Sequence, residues 1–160
     1  MPLLASKGLS LASKGRLYQA CVRSVMLYAS EMWPLKEEDL ARLERNDASM
    51  VRWMCRVKLN DHIPSRVLRD RLRLVSVREL IQTKRLSWFG HLERMDDNNW
   101  VSKCRHCVVD GRSVKGRPRK TWNEVVRNDL KEKNLDKELA KDRVAWKSLI
   151  KPRPTHACMD

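Results

Sequence analysis

The stretch Ser76-Val-Arg-Glu-Leu-Ile-Gln-Thr-Lys-Arg-Leu-Ser-Trp-Phe-Gly-His-Leu-Glu-Arg-Met95 decides the fold class. Ser76 and Glu79 form a capping box, in which the serine side chain meets the backbone three residues on. Val75 and Leu80 flank it as a hydrophobic staple. Val77, Leu80, Ile81, Trp88, Leu92 and Met95 then recur at helical spacing. The pattern predicts one long helix to about residue 95. Gly90 inside it costs about 1 kcal/mol relative to alanine, so a neighbour is expected to pack closely against it.

The same period extends to both sides. From Lys14 to Met32, the residues Leu17, Ala20, Cys21, Ser24, Val25, Tyr28, Ala29 and Met32 form a stripe, and Pro34 ends it. A second helix is expected from about Glu37 to Val57, with Glu37, Glu38 and Asp39 at its positive N-terminal end. Asp47 falls on its apolar stripe, either as a buried partner for an arginine or as a defect. Pro64 opens a short helix to about Leu72. Thr121-Trp-Asn-Glu124 is a second capping box, and a last helix is expected from about Lys137 to Ile150. No run reads as a half-buried strand. The expected fold is all-α: an irregular bundle of about four helices, then a basic linker, then a two-helix C-terminal element. The expected division is a flexible segment at 1–13, a bundle at 14–96, a linker at 97–120, a helical hairpin at 121–150 and a flexible tail at 151–160.

Composition agrees with a helical, basic chain. Among 160 residues there are 34 Lys and Arg against 20 Asp and Glu, a net charge of +14. That balance points to a polyanionic partner, nucleic acid or an acidic membrane surface. Five glycines and six prolines are too few for a fold built on many tight turns. The longest uncharged stretch in the helical region, Ser24 to Ser30, is far short of a membrane span. No apolar run suits a signal peptide. An intracellular location, nucleus or cytoplasm, is the expectation, and the odd number of cysteines fits it.

The strongest chemical signal is the run from Ser102 to Lys120, with seven Lys and Arg and one Asp. Arg112, Lys115, Arg117, Arg119 and Lys120 are the candidate phosphate contacts, with Pro118 limiting the alternatives of the clamp. Lys84 and Arg85, with Arg78, lie off the apolar stripe of the long helix and are expected to help. Arg66, Arg69, Arg71 and Arg73 extend that second basic face. Six tryptophans could stack on unpaired bases. Five of them sit among apolar helix neighbours and are expected to be core; Trp100 is set in a polar run. Cys104-Arg-His-Cys107 is half a zinc site, but its other half has no suitable spacing, so no metal ligand is assigned and the thiols are expected to be free. Asp96-Asp97 lacks the third carboxylate of a two-metal site. No catalytic residue, cofactor or small-molecule substrate is expected.

Leu27-Tyr-Ala-Ser-Glu-Met-Trp-Pro34, Met50-Val-Arg-Trp-Met-Cys55, Arg85-Leu-Ser-Trp-Phe-Gly-His-Leu-Glu-Arg94, Gly116-Arg-Pro-Arg-Lys-Thr-Trp122 and Asp142-Arg-Val-Ala-Trp146 stand in this order. Together they resemble the region after the polymerase palm in reverse transcriptases of LINE-type (non-LTR) retrotransposons, over roughly residues 8 to 155. The resemblance implies a thumb and a helical extension that grip template–primer duplex or element RNA. It places the family's RNA-directed DNA polymerase centre in an upstream palm and its nuclease in a separate domain. This sequence carries neither motif, so the expectation is a truncated or co-opted fragment that is not itself an enzyme. The resemblance also implies glycine where Ala29 and Arg56 stand. Two function classes follow: a non-catalytic binder of duplex or structured RNA or DNA, or a helical protein-interaction module or remnant whose apolar surface packed on the palm of a parent polyprotein.

Overall fold

The computed structural model describes residues 2–96, 98–107, 116 and 119–152. It is all-α, with no strand among the described residues. The α-helices are α1 (Pro2–Ala5), α2 (Leu11–Leu17), α3 (Ser24–Met26), α4 (Glu37–Cys55), α5 (Ser65–Arg71), α6 (Val77–Glu93), α7 (Trp100–His106), α8 (Trp122–Glu132) and α9 (Arg143–Ile150). A π-helical segment, Tyr18–Arg23, joins α2 to α3, and 3-10 turns lie at Ser30–Met32, Leu59–Asp61 and Lys137–Lys141. The chain divides into two compact units. One holds the described residues to Ser30, Lys36–Ile81 and Pro152; the other holds Glu31–Leu35 and the described part of Gln82–Lys151. The division falls inside α6 rather than near residue 96.

The core of the first unit gathers Leu4, Tyr18, Val51, Met54, Leu68, Leu72 and Leu74. The expected loose start is therefore tied down: Leu4 on α1 is buried, and Ser10 caps α2 by accepting from the Ser13 backbone N–H. A Cβ on Gly15 would stand 1.9 Å from the Leu72 carbonyl oxygen, so backbone meets backbone at that crossing.

The stripe expected from Leu17 to Met32 is corrected by the π-turn. Ala20, Cys21, Ser24, Val25, Tyr28 and Met32 are exposed, whereas Tyr18, Arg23, Leu27 and Ser30 are buried. Hydrogen bonds five residues apart bring Tyr18 and Arg23 near one face, a phase that a regular α-helical reading misses. That face meets Asp47. The Arg23 Nε and Nη2 donate to Asp47 Oδ1 and Oδ2 at 2.9 and 2.8 Å, and the Tyr18 hydroxyl donates to Oδ1 at 3.0 Å. Arg23 Nη1 also donates to the Val75 carbonyl at 2.7 Å. Burial, helped by the Asp47 carboxylate, pushes the Tyr18 hydroxyl well above its ordinary range, so it stays a donor. Asp47 is thus the buried partner of an arginine.

Three helices end in one manner. Arg56, Arg73 and Asn134 take left-handed backbone, with φ of 56°, 55° and 52°. After α4, the N–H of Arg56 donates to the carbonyl of Trp53 and that of Val57 to Arg52. Arg73 and Leu74 repeat this onto Asp70 and Arg69, and Asn134 and Leu135 onto Lys131 and Leu130. This is the Schellman pattern, in which glycine is the usual left-handed residue.

The core of the second unit comprises Leu86, Phe89, Val126, Leu130, Ala140, Trp146 and Ile150. Thr121 caps α8 by accepting from the Glu124 N–H at 3.3 Å. The single helix expected over 137–150 is broken: Asp142 stops the 3-10 turn and caps α9, its Oδ1 accepting from Val144 and Ala145. The expected linker contains α7, capped by Asn99 accepting from Val101 at 3.0 Å. Arg105 holds α7 in place through Glu93 at 2.7 Å. Seven residues are too few to show a period. Gly90 meets the neighbour it calls for, since a Cβ there would lie 2.3 Å from Trp146 Nε1.

Two substitutions test this packing. Asp47→Ala should cost on the order of 3–5 kcal/mol in urea unfolding, because it strands the buried Arg23 charge. Gly90→Ala gains about 1 kcal/mol of helix propensity, but drives a methyl into the Trp146 indole. The overpacking costs about 1–3 kcal/mol, so a net loss of up to about 2 kcal/mol is expected in urea unfolding, and a net gain would mean that the indole can move away.

Candidate nucleic-acid interface

The expected basic residues fare differently. Arg112, Lys115, Arg117 and Pro118 lie outside the described residues. Arg119 is exposed. Lys120 is part-buried, and its Nζ donates to the Leu35 carbonyl at 3.1 Å, a tie between two segments of the second unit. Lys84 lies on α6 in that unit, part-buried and lining a cleft.

Arg85 is withdrawn from the phosphate-binding set. It is 5% exposed, and its Nε lies 2.9 Å from Asp129 Oδ2. The Nε–H is not aimed at that oxygen, so the contact is an ion pair rather than an aligned hydrogen bond. The Gln82 amide donates to Asp129 Oδ1 at 3.4 Å and to Glu132 at 3.0 Å. Three buried polar groups, Gln82, Arg85 and Asp129, thus occupy the α6–α8 seam of the second unit, whereas the sequence reading set Arg85 on a basic binding face. Arg78 is also engaged: it bridges Glu37 and Glu44 in the first unit, and the Glu37 hydrogen bond holds its pKa above the ordinary value. Arg66, Arg71 and Arg73 are exposed, while Arg69 is part-buried.

The concave site that sequence reasoning missed lies within the second unit. It is a cleft of about 820 Å³. Helix α6 supplies one wall with Thr83, Lys84, Ser87, Trp88 and His91, and Arg94 follows directly after its end. Helix α9 supplies the other with Arg143, Trp146, Lys147 and Ile150, and Glu31 completes the lining. Positions 84, 87, 88 and 91 share one face of α6 by helical spacing, and 143 and 147 share one face of α9. Four Lys and Arg therefore face one carboxylate. Arg143 and Lys147 are exposed and carry no ion pair to a described residue. The Arg94 guanidinium donates to the Ala140 carbonyl, which steadies the end of the α6 wall. The Trp146 indole N–H donates to the Leu86 carbonyl at 2.9 Å, so this ring is floor. The cationic spacing 84/143/147 was present in the sequence, but only the α6–α9 packing brings it together.

The tryptophans also need correction. Trp146 alone among the six is buried; Trp33, Trp88 and Trp122 are part-buried, and Trp53 and Trp100 are exposed. Trp122 lies at the edge of the second core and donates its indole N–H to the Glu31 carbonyl at 2.7 Å. Trp100 carries Lys103 over its ring at 5.8 Å.

Cys104 and Cys107 are exposed. The side chain of His106, and Asp97, His156 and Cys158, lie outside the described residues. Among the described residues no group of three or more His, Cys, Asp or Glu could hold a metal ion, and no helix is long and apolar enough to cross a membrane. No protein family, curated protein or solved structure matches the chain.

The seam behind the cleft has a pH signature. Burial pushes the Asp129 carboxyl up to about 6 from an ordinary 3.8, against the pull of Arg85. Between those values the folded state holds a proton that the unfolded state has lost. The resulting stabilisation is present below pH about 4 and is lost as the pH rises through about 6. Asp129→Asn cannot titrate. The stability of the wild type relative to that variant should fall by on the order of 2–3 kcal/mol between pH 4 and 6, as read by denaturant unfolding across that range.

Proposed function

We propose that this chain is a non-catalytic nucleic-acid-binding module, of the kind that follows the palm in non-LTR reverse transcriptases. It grips duplex or structured RNA or DNA by phosphate contacts. One observation carries this reading: four Lys and Arg, on two walls within one unit, face a cleft with a single carboxylate, in a chain of net charge +14. Phosphates are the polyanion that such a surface attracts without reading sequence. The exposed Arg119 adds to it. Lys120 acts more by holding its own segment than by reaching out. The protein-docking alternative is supported by Val25 and Tyr28, which are 76% and 79% exposed in the first unit.

Each phosphate contact on duplex DNA contributes about −0.9 to the slope of log affinity against log salt. Lys84, Arg119, Arg143 and Lys147, acting together, should give a slope of about −4. Arg143→Ala with Lys147→Ala should make it shallower by about 2, measured by titrating a labelled duplex at several salt concentrations. An unchanged slope would remove the cleft from the interface. Wild-type protein that binds neither DNA nor RNA at low salt would overturn the reading altogether.

A further inference from the structure

The cleft contains more than a phosphate surface needs. A patch that only neutralises a duplex backbone is served by exposed cations on a convex or flat face. Here the cations line a concavity of about 820 Å³. That size falls within the range of sites that enclose a small molecule, about 300–1,000 Å³. A double helix can rest phosphates on the rim but cannot enter.

Inside stands an aromatic wall. Trp88 is part-buried on α6, and its ring lies 5.2 Å from that of His91 with 41° between their planes. Unlike Trp146, whose indole N–H is committed to the Leu86 carbonyl and whose ring fills the floor, Trp88 has no role in the second core. Lys84 precedes Trp88 by one helical turn, and Ser87 sits beside it. Arg143 and Lys147 face them from α9. An aromatic wall flanked by cations is what an unpaired nucleotide requires. The base stacks on a ring, largely irrespective of its identity, while its phosphates meet Lys and Arg.

We infer that the cleft between α6 and α9 takes an unpaired nucleotide of a bound strand, its base against Trp88 and its phosphates between Lys84, Arg143 and Lys147. This rests on the nucleic-acid reading and deepens it. The module would then distinguish a duplex that carries a single-stranded tail from a blunt one.

The test compares two DNA probes with the full chain at one salt concentration: a blunt duplex, and the same duplex with a four-nucleotide unpaired tail. The tailed probe should bind about tenfold more tightly, the scale of one good base–aromatic stack. In Trp88→Ala that ratio should fall to about one, and in Trp88→Phe most of it should remain. The phenylalanine variant guards against misreading a folding defect, since it keeps a ring in the wall. A ratio of one in the wild type, with blunt duplex still bound, would overturn this inference and leave the phosphate-binding reading standing. A ratio unchanged in Trp88→Ala would overturn it as well. Binding of neither probe would overturn both. A nucleoside monophosphate that abolishes the tail gain at micromolar concentration would reassign the cleft to a free nucleotide and overturn the strand assignment.

Discussion

The first unit is organised around one buried charge pair. Arg23 and Asp47 are each 1% exposed, and removing two charges from water is costly unless every lone pair and proton is answered. The answers come from three separate parts of the chain. The Tyr18 hydroxyl and the Gln19 side chain approach from the π-helical segment, Asp47 from the middle of α4, and the Val75 carbonyl from just ahead of α6. The π-turn brings Tyr18 and Arg23 together onto Asp47. The geometry of the first helical run is therefore set by a polar demand, and Tyr18 joins that network to the apolar core it shares with Leu68, Leu72 and Met54.

The second unit is organised by shape. Gly90 leaves a notch in α6, the Trp146 indole fills it, and the indole N–H is bound to the carbonyl of Leu86. This contact sets the α6–α9 approach, and with it the distance between the two cationic walls. The Arg85–Asp129 pair ties α8 to α6. The cleft is thus a by-product of core packing: α9 cannot shift without emptying the Gly90 notch.

Most helices were legible from the sequence because their signals are local. The caps at Ser76 and Thr121 accept from Glu79 and Glu124 as their spacing implies. The anomalous Asp47 left two readings open, a buried partner for an arginine or a defect, and the structure supplies the arginine; Gly90 pointed to a close neighbour. What escaped was non-local or phase-dependent. Arg85 looks solvent-facing on a helical projection, yet α8 covers it with a carboxylate. The stripe from Leu17 to Met32 lost its register because one wide turn is invisible in a period of 3.6. Helix α7 is too short to show a period at all. The cleft depends on pairing residues near 84–94 with residues near 143–150, and nothing in the spacing within either segment announces that meeting.

The helix ends at Arg56, Arg73 and Asn134 place non-glycine residues in a conformation that carries a Cβ penalty. In each case the next residue is apolar and packed: Val57 and Leu74 against the first core, Leu135 against the second. The instruction to reverse direction is therefore written in the residue after the turn, which is drawn inward, rather than in the turn residue. Such corners belong to the assembled unit; a peptide cut to one helix and its corner would lose the pull that holds the bend. In exchange, two corners that glycine would leave neutral present arginine to solvent. The chain gains positive surface at its bends at the expense of backbone strain there.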